Sequence, residues 1–381
     1  MKHYLNNAGA GELSNITLNA MIDYYQYEQK VGAYQAAKDK KDIIDMFYTN
    51  VAKLINADDV GEIAFVDNAS RGWNLAIRGI ELSKNDVIVT LSTEFGTNLI
   101  TIYDHAMKSG ASVRVIPCTD KGKVDIQLLE KVLSEYRGVK VIAISHAVAH
   151  GSIVNPVEQI GVLARKYGAL YIVDACQSVG QITVDVKEID CDVLVASGRK
   201  WLCGPRGTGF MYIRNKTNIR PTQLDLASAD LILNDDYSVT GVKIRQDAKR
   251  FEIWERNIAS QIGLATAIDI ILNVGLDEIS RKIKCFSTEI RNAISKNPKL
   301  ILIGSEESSS GIVGFITKKS DVEKSILDSF VKNGLTISTM SDWDCPLDFP
   351  KNGVKTIFRL SPHYYTNIET IELARKIILS I

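Results

Sequence analysis

The sequence predicts an α/β fold, a mostly parallel mixed sheet with a smaller C-terminal α+β domain. Three observations carry the prediction. From residue 60 to about 215, short Val- and Ile-rich runs recur that are mostly apolar on both faces, as suits strands covered by helices on two sides. Amphipathic helical runs separate them. After roughly residue 258 the alternation stops, and a long helical segment leads into a few short strands.

The strand runs are, in order, "EIAFVDN", "DVIVTLS", "SVRVIPC", "VKVIAISH", "ALYIVDAC", "DVLVASG" and "GTGFMYIRN". Between them, "DIQLLEKVLSEYRG" sets Leu129, Val132, Leu133 and Tyr136 on one helical face. "NPVEQIGVLARKYG" offers Asn155 as N-cap, Pro156 at the first position, Glu158 for a capping box and Gly168 as the stop. The polar stretch 217–250 reads as a long excursion, which in a compact domain is usually functional. "ASQIGLATAIDIILNVGLDEISRKIKCFSTEIRNAISK" is one long helical segment, "SEESSSG" at 305–311 a turn, and "GIVGFIT" and "KTIFRLS" strands. The expected division is a large domain over 15–257 and a small one over 258–381, with 1–14 packed on the latter. No internal repeat is present.

Composition narrows the function. Lys+Arg 45 against Asp+Glu 45 leaves no basic excess, which argues against a nucleic-acid or membrane-surface role. No apolar run reaches the roughly 18 residues of a membrane-spanning helix. The opening "MKHYLNNAGAGEL" has no signal-peptide core. The six cysteines are scattered without a CxxC pair, which suits a reducing cytoplasm better than a disulfide framework or a zinc site; no metal is expected.

In open parallel sheets, ligands sit beyond the carboxyl ends of the strands. After "EIAFVD" come Asn68, Ala69, Ser70 and Arg71, heading a helical run. "DVIVTLS" is followed by Thr93, Glu94 and Phe95, and "VKVIAIS" by His146. Asp174 and Gln177 follow "ALYIV"; Ser197, Gly198, Arg199 and Lys200 follow "DVLVA". Each has a plain reading. Asp174 could be a helix cap, Lys200 a solvated lysine, Asn68–Ser70 an ordinary cap, Phe95 core, and Gly204, Gly207 and Gly209 a turn. Together they suit a phosphorylated pyridine aldehyde. A desolvated Lys200 amine would bind the aldehyde, Asp174 would hold the ring nitrogen protonated, and the helix start at 68–70 would hold the phosphate. That group is pyridoxal 5′-phosphate. GxxxxGK is absent, so no nucleotide P-loop is read.

Nearly end to end, the chain resembles the class V aminotransferase-fold family of pyridoxal phosphate enzymes, which includes the cysteine desulfurases. "YLNNAGAG", "SHAVAHGSIVNPVEQIG", "YIVDACQSVGQITVDV", "SGRKWLCGPRGTGF" and "FRLSPHYYTN" carry the resemblance. It implies the PLP-dependent transferase fold type I and a homodimer with shared active sites. It implies Lys200 and Asp174 as catalytic residues. Ala69, Ser70, Phe95, Gln177 and Ser197 would complete the cofactor site, and Asn7 and Arg359 would bind a small amino-acid substrate. Three positions depart from the desulfurase pattern: Arg199 precedes the lysine in place of His, Ala149 stands for Asn, and Glu255 stands where a Thr often reaches the partner's phosphate.

"GRK" before "GPRGTGF", with "DAKRFEIWERN", resembles most the hercynylcysteine sulfoxide lyases. The leading expectation is therefore a C–S lyase working by β-elimination on a cysteine-derived amino acid or its sulfoxide. The alternatives are a cysteine desulfurase using Cys345, a class V aminotransferase or epimerase, and a non-catalytic scaffold. The "SDWDCPLDFP" run around Cys345 lacks the Gly/Ser freedom of a mobile arm, which favours a cysteine without a role.

Overall fold

The computed structural model describes residues 3–119, 122–136, 138–318 and 323–381. All seven strand runs enter one sheet. Its spatial order is Ile63–Val66, Gly209–Ile213, Val193–Ser197, Leu170–Asp174, Val139–Ser145, Val87–Leu91 and Ser112–Ile116. Neighbours pair in parallel except around Gly209–Ile213, which runs antiparallel to both of its neighbours. The parallel strands therefore end along one edge.

Both faces of this sheet are buried except at the edge strand Ser112–Ile116, where Ser112 and Arg114 are exposed, which is why the other runs lack a polar alternation. Tyr171, Val173 and Leu194 face one core with Phe47 and Ile268. Ile172, Val193 and Val195 face the other with Trp73 and Ile102.

Helix Ala69–Arg78 starts where Asn68 Oδ1 accepts from the Arg71 amide at 2.8 Å. Helix Ile126–Glu135 is capped by Asp125 and buries Leu129 and Leu133. Helix Val157–Tyr167 stops at Gly168 as expected, but Asn155 does not cap it. The Asn155 amide instead donates to His146 O, which turns its side chain toward the strand ends. There Asn155 Nδ2 donates to Ser145 O at 2.9 Å, and Oδ1 accepts from the Val124 amide at 3.2 Å. Pro156 occupies the cap position, and no capping box forms with Glu158.

The long helical segment is two helices, Ile258–Val274 and Leu276–Lys296, bent by 82°. Gly275, with φ +87, makes the corner in a region closed to most side chains. The first helix lies against Lys41–Ile55 and puts Leu264, Ile268 and Ile271 into the large core. The second gives Ile290 and Ile294 to a smaller core with Phe315, Phe330 and Phe358. That core lies under a four-stranded antiparallel sheet ordered Leu300–Ile303, Val313–Thr317, Thr356–Leu360, Ser338–Ser341.

The N-terminal segment joins this smaller unit. His3–Tyr4 pairs in parallel with Leu335–Thr336, and Asn6 bridges to Ser361. Residues 1 and 2 of the expected packing segment lie outside the described residues. The 217–250 excursion carries an exposed antiparallel hairpin, Ala229–Leu233 with Val239–Ile244. No single described helix is long and apolar enough to cross a membrane.

Candidate active site

The strand ends and the smaller unit enclose a cavity of about 230 Å³. Ala69, Ser70, Phe95, Asp174, Gln177, Ser197, Lys200 and Arg359 all line it. Five arrive from the carboxyl edge of the parallel strands. Ala69 and Ser70 begin a helix, so their amides and its dipole face the same space. Arg359 comes across from strand Thr356–Leu360 of the smaller sheet.

Asn7 is placed differently. It is fully buried, its Nδ2 donates to Ser361 O at 2.7 Å, and its Oδ1 accepts from Tyr365 OH at 2.6 Å. Its side chain is thus spent on fastening the N-terminal loop. Ala8 and Gly9 form the cavity wall there. Glu255 borders a separate cavity with Asp67 and Arg71.

The Asp174 carboxylate is held at both oxygens. Oδ1 accepts from the Cys176 amide at 2.9 Å, and Oδ2 accepts from Asn98 Nδ2 at 2.8 Å. The same Asn98 nitrogen donates to Glu94 Oε1 at 2.8 Å. Glu94 also accepts from the Ser145 amide and the Ser145 hydroxyl. Burial, and then the charge of Asp174, push the Glu94 carboxyl up to about 7. Gln177 is oriented by Trp201 Nε1, which donates to its Oε1 at 2.9 Å, and by its own Nε2 donating to Ala8 O at 3.0 Å.

Burial lowers the pKa of the Lys200 amine, against the opposing pull of Cys176 and Asp174. Burial also lowers the Arg359 guanidinium to about 10. Its Nε donates to Ser338 Oγ and its Nη1 to Ala149 O. Among the described residues, no carboxylate forms an ion pair with it. Arg199 lines the cavity beside Lys200, with Nη1 donating to Gly9 O. His146 is buried, its Nδ1 has no partner among the described residues, and burial holds its pKa down at about 4.

Sequence reading left Asn98, Ser145, Ala8, Gly9 and Asp344 without a place in the site. Asn98 sits in the first turn of helix Gly96–Ser109, where nothing in local pattern marks it. Asp344 and Met340 reach the cavity from the segment that carries Cys345. Cys345 itself is fully buried. It packs with Met340, Phe349 and Ile357, and Phe95 and Ala149 rest on that cluster.

Comparison with known proteins agrees with this architecture. The model of the family described as aminotransferase class-V matches residues 3–373. A probable cysteine desulfurase of Pyrococcus abyssi is 32% identical over 284 residues, covering 73% of this chain and 69% of that protein. The apo structure of a cysteine desulfurase from Thermococcus onnurineus matches with a TM-score of 0.88 at 26% identity, covering 100% of this chain and 94% of that one. A cystine C–S lyase in complex with cysteine persulfide shares the fold, with a TM-score of 0.87 at 22% identity over 99% of this chain and 97% of that one. This chain belongs to the class V aminotransferase family and is a pyridoxal 5′-phosphate-dependent enzyme of fold type I.

Proposed function

We propose that the protein is a cysteine desulfurase, which cleaves the Cβ–S bond of cysteine, releases alanine and takes the sulfur onto Cys345. The observation that carries this reading is the position of Cys345. It lies one side-chain layer behind the cavity, against Phe95, Ala149 and Met340, which line it. The desulfurase relatives support cysteine as the substrate. They move the reading away from the sulfoxide lyase that the sequence favoured.

The residues present suit the cofactor. Ala69 and Ser70 amides would take the phosphate, Phe95 would lie against the ring, and Gln177 and Ser197 would hold its polar substituents. The Asp174 carboxylate, already fixed by Asn98 and the Cys176 amide, would keep a proton on the ring nitrogen. Lys200, whose amine burial makes easier to deprotonate, would bind the aldehyde and then carry the Cα proton. Bound pyridoxal phosphate supplies an electron sink for the pair left on Cα. Arg359, a buried cation paired with no carboxylate among the described residues, would take the substrate carboxylate as a bidentate fork. The working form we expect is a cytoplasmic homodimer, in keeping with six cysteines that are all free.

A β-eliminating lyase remains the second reading, favoured by the complete burial of the Cys345 side chain. Product analysis separates the two. With cysteine, the wild type should yield alanine and a persulfide on Cys345, and Cys345→Ser should lose alanine formation. Pyruvate and ammonia at undiminished rate from Cys345→Ser would establish the lyase instead. Lys200→Ala should abolish exchange of the Cα proton with solvent under either reading.

A further inference from the structure

Behind the cavity wall two buried side chains and a half-buried carboxylate join two remote segments. His150 follows strand Val139–Ser145. Cys345 and Asp348 belong to a strap that runs from strand Ser338–Ser341 through a turn into the short helix Asp348–Lys351. His150 is fully buried, with Nδ1 3.2 Å from Cys345 Sγ and Nε2 3.1 Å from Asp348 Oδ2. Phe349 meets the imidazole edge-on, with ring centroids 5.0 Å apart, and fixes its plane.

The contacts decide the tautomer. A carboxylate at Nε2 keeps the proton of the neutral ring on that nitrogen. Nδ1 is then an acceptor, and it faces the thiol. Thiol, base and orienting carboxylate stand in the order that an activated nucleophile requires.

Cys345 needs such a base. Burial, then the charges of Asp348, Asp344 and Glu94, push its thiol up, with Arg359 pulling the other way. A thiol in that setting stays protonated at neutral pH unless an acceptor touches it. Moving the proton to His150 creates a thiolate–imidazolium pair, and Asp348 stabilises the imidazolium.

We propose that His150 is the catalytic base that activates Cys345 and that Asp348 is its positioning residue. The proposal rests on the desulfurase reading above and extends it to residues outside the cofactor cavity. In the step, the Cys345 proton passes to His150 Nδ1 and the thiolate attacks the substrate sulfur. An S–S bond forms and the Cβ–S bond breaks. Its electron pair stays with the three-carbon fragment, which takes a proton at Cβ and leaves as alanine. Cysteine plus thiol gives alanine plus persulfide, so no outside oxidant or reductant enters.

The strap supplies the approach. The Gly96 amide donates to Asp344 O at 2.7 Å, and a Cβ at Gly96 would stand 2.8 Å from Trp343 O. The strap thus lies directly on the helix start next to Phe95. A shift of one side-chain layer brings the sulfur into the cavity.

The test is the pH profile of Cys345 alkylation by iodoacetamide in the holoenzyme, read by peptide mass spectrometry from pH 6 to 10. Exposed Cys285 in the same digest is the reference. His150→Gln should move the Cys345 inflection upward by about one pH unit or more, which is about tenfold slower reaction at pH 7. Asp348→Asn should move it in the same direction by less, and it stands in if His150→Gln does not fold. A role in packing alone would scale the rate without moving the inflection. An unmoved inflection in both variants overturns the relay while leaving the desulfurase reading intact. Absence of persulfide on wild-type Cys345 after incubation with cysteine overturns that reading and, with it, the sulfur step.

Discussion

Glu94 and Asp174 are two carboxylates that share one Asn98 nitrogen inside the protein, and the pair has a consequence in pH. Burial and the Asp174 charge hold the Glu94 carboxyl at about 7, against an ordinary 4.5. Between those values the native protein keeps a proton that the unfolded chain releases. Glu94's contribution to stability is therefore full below about 4.5 and lost as pH rises to about 7, while buried His146 and His363, each held down at about 4 against an ordinary 6.5, contribute in the opposite sense over an overlapping window. In the apo-enzyme this shows in the difference between two Tm profiles: from pH 4.5 to pH 7 the Tm of Glu94→Ala should rise more, or fall less, than that of the wild type, whatever the change does to the absolute Tm. Parallel Tm curves for the two proteins would mean that Glu94 is already ionised throughout. Lys200 and Asp174 were legible in the sequence because each ends an apolar strand run, where a charged group needs a purpose. Glu94 was visible only as a strand-end residue, and Asn98 not at all, because a bridge between two strand ends exists only once the sheet has brought them together. The same holds for His150 and Cys345, which are 195 positions apart.

At the scale of elements, the strands were the most readable feature, since burial on both faces leaves a continuous apolar run that few other structures produce. Helix details were less so. Asn155 has the composition of a cap, yet tertiary partners at Ser145 and Val124 claim its side chain. The "SEESSSG" run reads as a bare turn, yet buried side chains from elsewhere organise it: Gln181 Oε1 accepts from the Gly311 amide at 2.7 Å, and Arg291 of helix Leu276–Lys296 holds two of its carbonyls. Arg291, fully buried, donates from Nη1 to Ser310 O at 3.0 Å and from Nη2 to Ser308 O at 3.1 Å. Charged donors to buried carbonyls are stronger than neutral ones, and their loss leaves acceptors dry. Arg291→Ala should cost about 2–3 kcal/mol in urea unfolding, with the m-value unchanged. A loss below about 0.5 kcal/mol, the range of ordinary surface changes, would show that water replaces the guanidinium there.

For the whole molecule, the 217–250 excursion is the least self-sufficient part. A two-stranded hairpin is marginal in water without a third layer. This one sets Leu231 opposite Val242 and Leu233 opposite Val239, with 62%, 47%, 49% and 59% of these residues exposed in that order. Apolar cross-strand pairs left open to solvent on a folded chain are what an intersubunit surface looks like from one side. A second copy of the chain is the occupant that the homodimer reading supplies. Light scattering on the holoenzyme should therefore give the mass of two chains at micromolar concentration. Leu231→Lys with Leu233→Lys should shift that mass toward one chain, because each lysine would bring an unpaired charge into the contact. The cofactor spectrum of the separated chain then tells whether the partner helps to hold the phosphate, the place where Glu255 breaks the family pattern. A double variant that keeps the mass of two chains would put the dimer contact elsewhere and leave the hairpin with another partner.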